Sequence, residues 1–528
     1  MRRMPRPPSS FPPTRRSTIA TLLAAAATLA ADPALAALPT DWPGEAKLGP
    51  PRPFSFDRLR AVVRAMAQKR YQPPLAPPPA LTHAVDYDAF GHAVYRPDAT
   101  LWDGQPGDEA VRFFPMGFAA PIPVAVSVVS GRQARAVTYA DDLFDMPADS
   151  PLRRLGPNAG FGGFRVMNAD RRTDWIAYLG ASYFRSADPF NQYGLSARGI
   201  ALDTAASRPE EFPAFTAFWL QPDPAGLIVY ALLDGPSVAG AFRIAHQRSP
   251  AGLVQEIQTE LRFRAPVERL GLAPLTSMYW YGQTDRTPAD DWRPQVHDSD
   301  GLSIWTGAGE RIWRPLANPP RVAVNTFLDH GPRGFGLMQR DRNFADYQDD
   351  GVFYDRRPSA WVEPIGDWGA GSVQLVEIPT RSEVDDNIVA FWSPAAPVTA
   401  GQTLSLGYRL HWAAEEPGPI GVARVIATRS GRGGRPATPD PLDRRKLVID
   451  FAGDSLAGLT RQSGVEPVVT LSAGAAIDAV AYPVEGQPAW RLMFDVAAPR
   501  VGSLDLRAFL RRRGDALTET WIHQIMAA

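Results

Sequence analysis

Residues 381–392 read RSEVDDNIVAFW, and the two halves of that stretch ask for different surroundings. Ile388 to Trp392 is a short apolar run, rich in β-branched and aromatic residues, of the kind that forms a buried strand. Ahead of it stand Glu383, Asp385, Asp386 and Asn387. Asp and Asn end turns by bonding their own backbone, so a turn feeding a strand is one reading of the run. A carboxylate placed there for chemistry is the other.

Working outward, the same unit recurs. Residues 123–129, 226–233, 253–263, 371–378 and 404–412 are further short β-like runs, each bounded by turn residues. No helices lie regularly between them, which argues against a parallel α/β sheet and for a large antiparallel β-sandwich. A second set of runs, at 447–451, 468–471, 477–482, 490–496 and 503–509, has the spacing of an immunoglobulin-like sandwich. The expected fold class is therefore mostly β. Its divisions are a leader at 1–36, a large sandwich at 37–414, a linker at 415–421 and a smaller sandwich at 422–528. Residues 56–69 are the exception, with Phe56, Leu59, Val62, Val63 and Met66 at helical spacing, and predict an amphipathic helix.

Bulk composition agrees with this layout. A chain of 528 residues is too long for one compact core. Its 53 prolines and 44 glycines fit a protein of many turns. The first 36 residues carry Arg15-Arg16, a weakly apolar run from Ile19 to Ala31, and small residues at Ala34-Leu35-Ala36. That is the layout of an export signal of the twin-arginine type, and the expected location is the periplasm. The apolar run is too short to span a bilayer, so no stable membrane insertion is expected.

Removing the leader takes away five arginines and one aspartate, leaving 50 basic against 55 acidic residues, a net charge of −5. Nucleic acid, which needs a clustered basic surface, is a poor partner for such a chain. The absence of cysteine excludes disulfides, thiolate metal sites and cysteine nucleophiles. The seven histidines show no ligand spacing, so neither a metal nor another cofactor is expected. There is no GxGxxG, P-loop or HExxH, and Gly194-Leu195-Ser196-Ala197-Arg198 fails as a nucleophile elbow because Arg198 stands where glycine is required.

What remains is carboxylates among aromatics. His297, Asp298 and Asp300 lie near Trp305 and Trp313, and Asp385 and Asp386 lie near Trp392. Between them come Arg340, Asp341, Tyr347, Tyr354, Arg356, Trp361 and Trp368. Sugars are held by flat aromatic faces with carboxylates and guanidinium groups at the rim, and glycosidic cleavage needs two carboxyl groups. The competing reading is that the tryptophans are sandwich core and Arg340-Asp341-Arg342 a surface ion cluster.

The stretches LGASYFR (179–185), YGLSARGIALDTA (193–205), EEFPAF (210–215), LAPLTSMYWYG (272–282), HDSDGLSIW (297–305), GFGLMQRDRNF (334–344), RRPSAWVEP (356–364) and DNIVAFW (386–392) resemble the osmoregulated periplasmic glucan biosynthesis proteins of the G and D type. They occur in order over nearly the whole chain after the leader, and the paired arginines make the D branch the better match. The resemblance implies a galactose-mutarotase-like sandwich followed by an immunoglobulin-like one. It also implies action on the β-1,2-glucan backbone as an inverting glycoside hydrolase or transglycosylase, with Asp386 as general acid and Asp298 as general base. Sugar contacts are expected among Tyr193, Arg198, His297, Trp305, Arg340, Asp341, Tyr354, Arg356, Trp361 and Trp368. A homodimer is compatible with it, and a non-catalytic glucan-binding scaffold is the alternative. Asp385 and Asp386 are expected on opposite faces of the strand, because side chains alternate there.

Overall fold

The computed structural model describes residues 48–527 except 104–108, 119, 157–158, 287–290, 435–436 and 438–443. The leader, and with it the twin-arginine reading, lies outside the described residues. The fold is mostly β, as expected.

One long sheet forms the frame. Its strands run from the pair Ala125–Ser130 and Gln133–Val137, through the meander Ala214–Asp223, Gly226–Asp234, Val238–Ser249 and Gly252–Phe263, to Thr403–Ala413, Ser359–Ile365, Gly334–Met338, Gly301–Trp305 and Arg311–Pro315. Alternation decides which face of each strand is buried. In Gly252–Phe263, Leu253, Gln255, Ile257, Thr259, Leu261 and Phe263 turn inward. A second sheet of ten strands, including Leu270–Ser277, Ala370–Glu377 and Ile388–Pro394, faces the first. Phe218, Val229, Ile244 and Ile257 from the long sheet meet Phe164, Ile176, Leu275, Leu375 and Ala390 from the other in one core.

The helix lies on the opposite side of the long sheet. It spans Phe56–Ala67, two residues shorter than predicted, and begins where the Ser55 side chain accepts the Arg58 amide. Leu59 and Val63 bury against Ile228, Tyr230, Ala239 and Ala241.

The long sheet does not stop at residue 414. Strand Arg311–Pro315 pairs in parallel with Thr520–Met526, which continues into Ser503–Arg512 and Glu466–Leu471. A four-stranded sheet of Arg424–Arg432, Arg444–Ala452, Trp490–Ala497 and Ile477–Pro483 supplies the other layer of the second core. Leu447, Ile449, Phe494, Leu506 and Trp521 fill it, and Trp313 and Trp361 from the strands Arg311–Pro315 and Ser359–Ile365 join them. Trp361 has room because residue 334 is glycine: a Cβ there would stand 2.4 Å from the indole ring.

Candidate active site

Asn387 brings the two carboxylates of interest together. Its buried amide accepts a hydrogen bond from the Tyr279 N–H (2.8 Å) and donates to the carbonyls of Tyr279 (3.0 Å) and Ile378 (2.9 Å). Tyr279 opens the strand Tyr279–Tyr281, which pairs with Val296–His297, and the Asp298 amide bonds back to Met278 (2.8 Å). The turn carrying Asp386 and the strand end carrying Asp298 are thus fastened by one side chain. The alternation expected for Asp385 and Asp386 does not apply: both lie in the turn, and the strand begins at Ile388. Asp385 faces back into that turn and accepts the Thr380 hydroxyl (3.0 Å).

The two environments differ. Asp298 is 7% exposed, and burial pushes its proton affinity up, while the guanidinium groups of Arg357 and Arg185 pull it down. Arg357 Nη1 lies 3.0 Å from Asp298 Oδ1. Asp386 reaches solvent from its turn and lies near enough to Asp298 to feel its charge. Its pKa is pushed up to about 6, first by desolvation and then by the negative charge of Asp298.

A line of charge continues beyond Asp298. Arg357 stacks over the Tyr354 ring at 4.6 Å, and the Tyr354 hydroxyl donates to Glu383 Oε2 at 2.6 Å. Glu383 also accepts Arg293 Nη1 (2.7 Å), which in turn is paired with Asp291 and Asp349. Burial raises the proton affinity of Glu383, but the hydrogen bonds from Arg293 and Tyr354 outweigh it, so this carboxyl lies below its usual range. On the other side, Arg198 and Arg185 favour the ionised form of Asp386. Arg198 pairs with Glu210 (3.0 Å), and Arg185 sits over the Tyr193 ring at 4.6 Å. Tyr193 is held by a hydrogen bond to Asp174 (2.6 Å).

Of the residues expected to contact sugar, Tyr193, Arg198 and Tyr354 belong to this charged surround, and others do not. Trp361 is 2% exposed and has no free face. Trp305 has Arg311 3.6 Å and Arg333 5.2 Å from its ring centre, so guanidinium groups occupy it. Trp368 packs on Trp392 and Tyr408 and donates its indole N–H to Gly407. His297 is fully enclosed between Gln339 and Gln295, its ring stacked on Tyr279, and burial lowers its pKa to about 4.

Arg340 forms ion pairs with Glu416 (3.0 Å) and Glu519 (2.8 Å), joining the two halves of the molecule rather than facing a ligand. Asp341 accepts from Gln283 and Gln295, and with Arg340 and His297 it lines a small cavity closed on its other side by Val425 to Thr428. Arg356 is exposed and turned onto Phe353. Its neighbour Arg357 takes the place at Asp298.

Sequence reasoning missed Arg357, Arg185 and Arg293. None has a spacing signature, because each arrives from a separate loop or strand. Among the described residues no cluster of three or more metal-ligating side chains is disposed to hold an ion, and no helix is long and apolar enough to cross a membrane.

The comparisons with known proteins point one way. Residues 54–525 match the family model described as "Periplasmic glucan biosynthesis protein, MdoG". The Glucans biosynthesis protein D 2 of Ralstonia nicotianae is 48% identical over 497 residues, covering 90% of this chain and 92% of its own. Glucans biosynthesis protein D of Stenotrophomonas maltophilia is 45% identical over 513 residues, covering 96% of each. Among solved structures, a polysaccharide lyase aligns with a TM-score of 0.24 and 11% identity over 70% of this chain and 44% of its own, a likeness too slight to carry an argument. On the family match and the extent of these identities, the chain belongs to the periplasmic glucan biosynthesis protein family of MdoG.

Proposed function

We propose that this protein acts in the periplasm on the β-1,2-linked glucan backbone, as an inverting glycoside hydrolase or transglycosylase. The observation that carries the reading is the pair Asp386 and Asp298, two carboxyls raised in proton affinity and biased apart by their neighbours. Asp386 feels the negative charge of Asp298 and Asp385 and keeps its proton to about pH 6. Asp298 has Arg357 beside it and ionises more readily than burial alone would allow. Environments that push two carboxyls apart assign an acid and a base.

In this scheme Asp386 protonates the departing glycosidic oxygen as its bond to the anomeric carbon breaks. A water, or a sugar hydroxyl in transfer, attacks that carbon from the opposite face and loses its proton towards Asp298. Asp386→Asn and Asp298→Asn should each lower turnover of linear β-1,2-glucan by about a hundredfold or more, with glucan affinity close to the parent and no loss of thermal midpoint. Proton NMR of the reaction reads the anomer first formed. An initial β product would rule out inversion, and a parent protein that binds the glucan without cleaving or transferring it would leave a scaffold instead.

A further inference from the structure

The stretch EEFPAF contributes no group to the mechanism above, yet it displays an aromatic ring beside it. Phe212 is 60% exposed. A lone exposed apolar side chain is ordinary, but this one is held on both sides. Glu210, two residues earlier, accepts Arg198 Nη1 (3.0 Å) and the Thr204 hydroxyl (2.8 Å). The Glu211 amide bonds to Leu202, and its carboxylate accepts the Ser237 amide (2.9 Å). Pro213 follows and fixes the backbone φ. The chain bearing Phe212 is therefore tied to the sheet within one residue of the ring.

Arg198 supplies the second half of the observation. This guanidinium is 3% exposed, and its Nε has no hydrogen-bond partner. Its central carbon stands 4.9 Å from the Phe212 ring centre and 5.3 Å from that of Tyr183. One face of Phe212 is thus backed by a buried cation that is itself stacked on a tyrosine, and the exposure belongs to the other. Both Arg198 and Tyr183 lie within the field of Asp386. A fixed apolar face beside charged side chains is what the C–H face of a pyranose stacks upon.

We propose that Phe212 is a sugar-stacking platform, binding a glucosyl residue of the polymer on the Asp386 side of the carboxylate pair, with Arg198 and Tyr183 holding its ring in place. The proposal rests on the glucan reading of the site and adds a binding residue to it. The ring contributes affinity for the chain and no proton transfer.

The test uses the full mature chain carrying Asp386→Asn, which holds glucan without consuming it, titrated calorimetrically with linear β-1,2-glucan of defined length. Adding Phe212→Ala should weaken binding about tenfold, with the thermal midpoint unchanged, and Phe212→Trp should bind at least as tightly as Phe212. If Phe212→Ala binds as tightly as its parent, the platform is wrong and the glucan reading stands. If the Asp386→Asn protein binds no glucan, both readings go together. A fall in affinity accompanied by a lower thermal midpoint and not restored by Phe212→Trp would make the ring structural. A change in sedimenting mass with glucan affinity unchanged would make it a contact between copies of this chain. Either result overturns the proposal.

Discussion

Arg357 Nη1 lies 3.0 Å from Asp298 Oδ1, yet the contact is an ion pair without a hydrogen bond: that oxygen and Arg357 Nε both lack a hydrogen-bond partner. The guanidinium stabilises the negative charge at Oδ1, which is closed to solvent, while Oδ2 has no hydrogen-bond partner among the described residues. A base needs that combination, since it must be ionised before the reaction and able to take a proton during it.

Arg357 is therefore a lever on the acidic limb of the activity profile. A base must be deprotonated, so activity falls as pH drops through its pKa. Arg357 lowers that pKa, and Arg357→Met should raise it, moving the acidic limb of kcat/KM on β-1,2-glucan upward by about one pH unit or more. A limb that stays in place would show that Asp298 is not the group whose titration governs the reaction.

Asp386 gives the opposite limb. An acid must be protonated, so activity of the free enzyme should decline as pH rises through about 6. Asp385 adds to the upward shift, so Asp385→Asn should move this limb down while leaving the acidic limb alone. The same shift has a stability consequence with a fixed sign. A carboxyl whose folded pKa exceeds its ordinary value of 3.8 contributes stability fully below that value and loses it as pH rises through about 6. Asp386→Asn should raise the thermal midpoint above pH 6 and change it little below pH 4, as read by scanning calorimetry. A midpoint lowered across the whole range would mean that the carboxylate is held by favourable contacts instead.

The strands were legible because alternation and turn residues are local. The run 253–263 shows in sequence the period that it shows in the sheet. The second half of the chain was legible as strands, but not as an extension of the first sheet, because the parallel pairing of Ile312 with Thr520 joins residues too far apart for any local pattern to register. Asp386 and Asp298 came from resemblance, while Asn387, quoted with them, acts as the fastener between their segments. The tryptophans misled for a physical reason. Composition places aromatics near charges but does not say which face is covered, and Gly334, which opens the pocket for Trp361, carries no mark of that role in sequence. Arg356 and Arg357 differ by one position and point to different surroundings, a distinction set by the short 3₁₀ turn Tyr354–Arg356.

Trp361→Ala follows from that correction. The ring is buried with Met338, Trp313 and Leu506 in the second core, and truncation should cost about 3–5 kcal/mol of stability through the cavity left behind. Glucan affinity measured below the lowered midpoint should match the parent. A loss of affinity at unchanged stability would return Trp361 to the sugar site.

Arg340 offers the sharpest contrast between binding and architecture. Glu416 and Glu519 are both buried, and Arg340 bonds to each while its guanidinium stacks on Trp313 at 3.8 Å. Its backbone amide also donates to Asp300, two residues from Asp298. Removing the cation leaves two buried carboxylates without their shared hydrogen-bonded partner, with only the more remote charge of Arg311 acting on both, and breaking a buried pair typically costs about 3–5 kcal/mol. Arg340→Met should therefore lower the thermal midpoint markedly. Glu519→Gln removes one of the stranded charges while keeping an oxygen to accept the Val425 amide, so the double variant Arg340→Met/Glu519→Gln should be more stable than Arg340→Met alone. Thermal unfolding of the three proteins measures this directly, and titration with β-1,2-glucan below each midpoint measures the other half. A ligand-binding Arg340 would lose affinity without losing stability. The ion pairs to Glu416 and Glu519 predict the reverse, and a double variant no more stable than the single one would show that the triad is not what joins the two halves.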